Sequence, residues 1–308
     1  MKFTFLIKYR YFLTITLLIL NIFQVVLALD CEQATDLLYQ AYELHSKGHN
    51  IAKQQSLLKK ALGYCPQHPE LHNALASVFE EQGHLKQAIE YYKKAAKQEP
   101  EFTEPWYSLG EIYYRQKRFS LSLEAHSQNC SRDADSKARV KELLKEQPYA
   151  VAKADEVIDQ ESLLVLYDSK RRIKVNQNLS NCRLYTRVKP KITFRNLSFN
   201  SGKVSLKRGA IYQLKEMAAA FKTIAPLKIK IHSHTNIQTF KGIEQEESSK
   251  RNQILSEERA DTIADTLARL GIDRDYIKTF GHGYSQPLTY ELTKAALAKN
   301  KRIEIKVE

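Results

Sequence analysis

Residues 252–271 read NQILSEERADTIADTLARLG. Ala260, Ile263, Ala264, Leu267 and Leu270 recur there at spacings of three and four. They line one face of an amphipathic helix over about 255–270, which Gly271 ends. Upstream, Leu227-Lys-Ile-Lys-Ile-His alternates with period two, the pattern of a half-buried strand. Downstream, Tyr276–Phe280 reads as a strand, and Arg302-Ile-Glu-Ile-Lys-Val alternates again. Further upstream, Ile192–Phe199 is a strand candidate. A second amphipathic helix follows it, with Ala210, Leu214, Met217, Ala218 and Phe221 on one face. Two helices on one face of a small mixed sheet is the natural packing. The pattern predicts an α/β domain, an α+β sandwich, over 186–308 that folds alone.

Along this domain stand, in order, Leu197-Ser-Phe-Asn-Ser-Gly, Ile231-His-Ser-His-Thr-Asn, Asn252-Gln-Ile-Leu-Ser-Glu-Glu-Arg-Ala, Gly281-His-Gly with Pro287, and Asn300-Lys-Arg-Ile-Glu-Ile. The set resembles the OmpA-like C-terminal domain. The resemblance implies a non-covalent peptidoglycan-binding module that grips the zwitterionic diaminopimelate of the stem peptide. An aspartate closing a His-Thr-Asp turn faces the ammonium, and the arginine of Leu-Ser-x-x-Arg-Ala forks onto the carboxylate. In this chain that arginine is Arg259. Asn252, seven residues earlier, falls on the same helical face. Thr235 lies in the turn, and Arg302 adds positive charge nearby. The chain departs from the pattern at Asn236, which stands where the family has aspartate. The stretch from Asn236 to Leu255 is also longer than the family's. It carries Glu244, Glu246 and Glu247, which either return the missing charge or belong to an Ile237–Arg251 loop that blocks the pocket. The competing reading of Arg259 is a structural ion pair with Glu257 or Glu258.

The first half repeats. Pro66 and Pro100 stand 34 residues apart. Between them, Leu75, Ala76 and Phe79 share one helical face and Ala88, Tyr92 and Ala95 another, with Gly83 at the turn and Pro100 as the stop. This unit is similar to a tetratricopeptide (TPR) repeat. The next unit starts alike with Trp106, Leu109, Gly110 and Tyr113, then decays to Ser122, His126 and Asn129. The preceding unit keeps Leu38, Ala41, Leu58 and Ala61, while Tyr42 looks too large for its slot. All-α TPR-like hairpins are therefore expected over 31–132. The resemblance implies a protein partner in a concave groove; the alternative is a spacer. Residues 133–185 read as a helical connector leading into a basic arm. Twelve Lys or Arg and no acidic residue fall between Ser169 and Ala210. That run suits anionic wall polymer, lipid headgroups or a solvated β-rich segment. Nucleic acid is the sharp reading of such a run, and export argues against it.

Export follows from residues 1–28. Lys2, Lys8 and Arg10 precede a long apolar run, and Val26-Leu27-Ala28 offers a cleavage site. The alternative is an uncleaved anchor, since about 20 apolar residues span a bilayer. Cleavage takes three positive charges from a net +13. Asp30 before Cys31 argues against lipidation. Four cysteines in an exported chain allow two disulfides in three connectivities. The ends of an antiparallel helical hairpin lie side by side, which pairs Cys31 with Cys65 and leaves Cys130 with Cys182.

No catalytic constellation is present: GxSxG, HExxH and the P-loop are absent. His232 and His234 project to one side of a strand without a third ligand, so neither metal nor cofactor is expected. The expectation is a non-catalytic protein of the periplasm or outer-membrane-associated envelope of a Gram-negative bacterium. It would bind peptidoglycan through the C-terminal domain and a protein through the TPR repeats. The alternative is an envelope scaffold whose OmpA-like domain has lost wall binding.

Overall fold

Small and apolar residues spaced three and four apart make the helices of the first half. The structure, a computed structural model, describes residues 31–46, 48, 50–200, 202–225, 228–237 and 242–308. The expected leader at 1–28 lies outside the described residues. Among those described, no helix is long and apolar enough to cross a membrane. The chain divides into two compact units, one through Leu109 and one from Gly110 to Glu308.

The first unit holds α1 (residues 31–46), α2 (Ile51–Tyr64), α3 (Pro69–Glu81), α4 (Leu85–Gln98) and the start of α5 (Thr103–Arg115). Leu38, Ala41, Leu58 and Ala61 are buried, as are Leu75, Ala76, Ala88 and Ala95. Alanines at those points let the helix backbones approach closely. Gly83 has φ +75°, the left-handed conformation a tight α3–α4 turn requires. Tyr42, expected to overfill its slot, instead points outward. It is 39% exposed and donates to Glu70 Oε1 at 3.2 Å. A disulfide joins Cys31 to Cys65, Cα atoms 4.8 Å apart, across the ends of the α1–α2 hairpin.

In the second unit α6 (Phe119–Asn129) and α7 (Ala134–Glu146) follow. Ser122, His126 and Asn129 stand where α4 has Ala88, Tyr92 and Ala95, yet all three are fully buried. A polar network accepts His126, while the Ser122 hydroxyl is buried without a hydrogen-bond partner. His126 Nδ1 meets Ser136 Oγ at 3.0 Å, and Nε2 lies 3.2 Å from Glu111, which also takes Arg139 at 3.0 Å. Gly110 makes room, because a Cβ there would sit 2.3 Å from His126 Nε2. The repeat decays in composition and keeps its helices.

The stretch read as a connector is part of the second unit. Val151–Ala152 forms strand β1, and α8 (Gln160–Tyr167) is buried from Ser162 to Tyr167. Tyr167 Oη donates to the Ile305 carbonyl at 3.1 Å. The fully buried Gln213 accepts from the Ile158 amide at 2.9 Å and donates to its carbonyl at 3.0 Å. The basic arm, in turn, opens with a helix rather than a β-rich segment. This is α9 (Ser169–Asn181), and the Asp168 carboxylate caps it by accepting from Lys170 N at 2.7 Å. Cys182 at its end is bonded to Cys130, Cα atoms 5.6 Å apart.

The sheet is completed by β2 (Lys191–Phe194), β3 (Ile229–His234), β4 (Ile277–Gly281) and β5 (Arg302–Val307), in the order β1-β2-β5-β3-β4. β1–β2 and β3–β4 are parallel, while β5 lies antiparallel between β2 and β3. Ile192, Phe194, Ile229, Ile231, Ile303 and Ile305 alternate into the core. They meet α10 (Arg208–Ile224) and α11 (Gln245–Arg269), whose inner faces are Leu214, Met217 and Phe221, and Ala260, Ile263 and Leu267. Burying each large side chain contributes about 1.5–3 kcal/mol. α11 begins ten residues before the expected Leu255, so the expected 237–251 loop is helix from Gln245 onward. Glu246 pairs with Lys250 and Glu247 with Arg251, each at 2.8 Å and four residues apart. A short α12 (Lys294–Asn300), capped by Thr293, precedes β5.

Candidate binding site

At one end of the sheet the chain leaves β2 and doubles back. Phe199 and Leu206 form an isolated bridge, Asn200 N donates to Ser205 O at 3.0 Å, and Gly202 takes φ +65° at the tip. This hairpin brings the Lys203 carbonyl to α11, where Arg259 Nε and Nη2 both donate to it at 3.2 Å. The guanidinium stands 4.9 Å over the Phe199 ring. No carboxylate pairs with Arg259 among the described residues, so the expected alternative partners Glu257 and Glu258 do not hold it. Arg259 is thus oriented by a carbonyl and a ring that do not neutralise it. Burial lowers its pKa from the usual guanidinium value.

Beside Arg259 opens a cavity of about 690 Å³. Arg195 from the end of β2, Arg259, and Arg302 from the start of β5 give it three guanidinium groups. Lys153, Lys207, Lys299 and Lys301 add four ammonium groups. No acidic side chain lines it among the described residues. Arg302, 6% exposed, donates to Glu304 at 2.8 Å and to the Gln286 carbonyl at 3.2 Å. Burial would raise the Glu304 carboxyl, but Lys191 and Arg302 hold it down at about 2. Ser233 and His234 also line the cavity, 0% and 4% exposed. The Ser233 hydroxyl and both His234 ring nitrogens are buried without a hydrogen-bond partner.

The other expected site residues lie next to this cavity's edge elements and do not line it. Thr235 N donates to Gly283 O at 2.7 Å, and Thr235 Oγ1 to Asn236 O at 3.4 Å. Asn236 is half-buried. Asn252 is 3% exposed and donates to its own helix, to Ser248 O at 2.9 Å. Arg259 and Arg302 are therefore the two expected residues that the fold brings to one cavity. The five further cations escaped sequence reading, although Arg195 and Lys207 belong to the acid-free basic run. Nothing in the sequence said that this run returns to Arg259.

The missing third histidine is His282. Its Nε2 lies 2.9 Å from His232 Nδ1, with the two rings 12° from parallel. His234 stacks on it at 4.7 Å, and Phe280 stacks on His232 at 4.7 Å. At that distance one of the two nitrogens donates and the other accepts, which one being set by the tautomers. Among the described residues no three His, Cys, Asp or Glu side chains are grouped to hold a metal ion. Burial lowers the pKa of all three imidazoles, that of His234 to about 3.

Known proteins match two stretches of the chain. Residues 198–301 match the model of the OmpA family, and residues 79–117 match that of a TPR repeat. Among curated proteins, the chain is 27% identical over 110 residues to the Probable lipoprotein YiaD of Escherichia coli, covering 36% of this chain and 47% of that protein. It is 30% identical over 76 residues to the Peptidoglycan-associated lipoprotein of Legionella pneumophila, covering 25% of this chain and 43% of that one. The chain thus spans less than half the length of these relatives. A solved structure, the OmpA-like domain of FopA1 from Francisella tularensis, aligns with TM-score 0.32 and 23% identity over 38% of this chain and 73% of its own. TPR-like helical hairpins followed by an α/β OmpA-like domain are the chain's architecture.

Proposed function

We propose that this chain is a non-catalytic protein of the Gram-negative cell envelope that binds peptidoglycan through its OmpA-like domain. The observation that carries the reading is Arg259, held by the Lys203 carbonyl and the Phe199 ring at the cavity wall with no carboxylate partner. A half-buried guanidinium so placed is ready for a carboxylate, and the stem peptide's diaminopimelate supplies one. The match over 198–301 and the name of the Legionella relative support the same reading. The TPR-like hairpins would recruit a protein partner, in the periplasm or at the outer membrane.

Sedimentation with purified sacculi tests this. The mature chain should co-sediment and Arg259→Ala should not, with an unchanged melting temperature showing that α11 is intact. Asn236→Asp asks whether an acid in the turn adds to binding. A wild-type chain that stays in the supernatant would leave an envelope scaffold without wall affinity.

A further inference from the structure

The cavity beside Arg259 has a charge balance that a zwitterion does not answer. Among the described residues no carboxylate comes within 4.0 Å of the charged groups of Arg195, Lys207, Arg259, Lys299 or Lys301. Only Lys153 and Arg302 have such a partner, Glu156 at 3.8 Å and Glu304 at 2.8 Å. Five uncompensated cations around one concavity repel each other, and low-dielectric walls focus their field. An ammonium–carboxylate pair brings no net charge to relieve that repulsion. The orphaned Ser233 hydroxyl and His234 ring are buried, line the cavity, and supply donors that water-excluded oxyanions can satisfy.

We propose that the cavity is a polyanion site, which takes its ligand by two or more carboxylate or phosphate oxyanions and makes no use of a ligand ammonium. This rests on the reading of the cavity as the wall-ligand site. In a stem peptide the oxyanions are the free carboxylates of glutamate and diaminopimelate, and amidation of those groups would abolish recognition.

Calorimetry on the full mature chain, at low and high salt, tests it with three probes. They are inorganic pyrophosphate, a muramyl tripeptide ending in diaminopimelate, and the same tripeptide with its side-chain ammonium acetylated. All three should bind with one-to-one stoichiometry and compete. Acetylation should change affinity by less than about twofold, and raising salt should weaken all three. Lys207 and Lys299 lie on the exposed rim, so the double variant Lys207→Gln/Lys299→Gln should keep its melting temperature. It should weaken all three probes about tenfold, while a Lys141→Gln control on α7 should not. If acetylation costs tenfold or more, or pyrophosphate neither binds nor competes, the polyanion site is overturned and wall binding stands. If pyrophosphate binds and is lost in the double variant while neither peptide binds, the polyanion site stands and the wall reading fails. Absence of binding by all three overturns both.

Discussion

Gly281 shows how a single missing side chain shapes the site's surroundings. A Cβ at this position would lie 2.5 Å from the Glu257 amide nitrogen and 2.7 Å from Ser256 Oγ, inside the body of α11. Gly283, at φ +50°, would meet Gln253 N at 3.2 Å, and its amide donates to Ser256 Oγ at 2.8 Å. The Gly-His-Gly pattern is legible in the sequence, but the reason for it is this close approach of a loop to a helix backbone. Gly281→Ala should destabilise the chain by about 1–3 kcal/mol through overpacking. A thermal melt should show a drop of several degrees, and an unchanged midpoint would mean that the loop slides off α11 without cost.

At the scale of elements, α8 is the piece that sequence periodicity undervalues. Its run Ser162–Tyr167 is buried on nearly all sides, so it lacks the amphipathic stripe that marks a helix facing one core. Tyr167 spans from α8 to the Ile305 carbonyl on β5, and its ring lies 5.6 Å from Phe221 on α10. A fragment of 186–308 removes β1, α8 and α9 and exposes the α10 surface that α8 covers. It should melt lower than a fragment of 110–308, by circular dichroism, and equal midpoints would show that α8 contributes nothing to the domain. In the full chain Tyr167→Phe should cost about 1 kcal/mol, the net value of one hydrogen bond.

At the scale of the whole molecule, buried neutral histidines set an acid limit on stability. Burial lowers His126 to about 4, with Arg139 adding to the drop and Glu111 opposing it. His234 falls to about 3. A folded-state pKa below the unfolded value of about 6.5 means that the unfolded chain binds protons first. Stability is therefore constant above about pH 6.5 on this account and falls as pH drops from there toward the folded values. Glu304 acts in the same direction lower down. Its carboxyl is held at about 2, so its contribution is present above the unfolded carboxylate range and disappears as pH falls through the folded value. The melting temperature should fall between pH 7 and pH 5, and His126→Gln should flatten that slope. A melting temperature that rises on acidification would contradict the burial of these imidazoles.

What the sequence determined by itself is whatever depends on neighbours along the chain. The 3.6-residue faces of α3, α4, α10 and α11, the alternation of β3 and β5, and the order of the OmpA-like motifs are all local patterns. So was the pairing of Cys31 with Cys65, because a helical hairpin brings its own ends together. Tertiary structure alone decided where distant cations converge. Lys153, Arg195, Lys207 and Lys299 reach Arg259 and Arg302 from four further segments, and each of the four by itself looks like a solvated charge. Side-chain chemistry at one cavity is a property of how strands end and helices begin in space. No periodicity records that, which is why Arg259 was visible as a motif residue and its unpaired cationic neighbours were not.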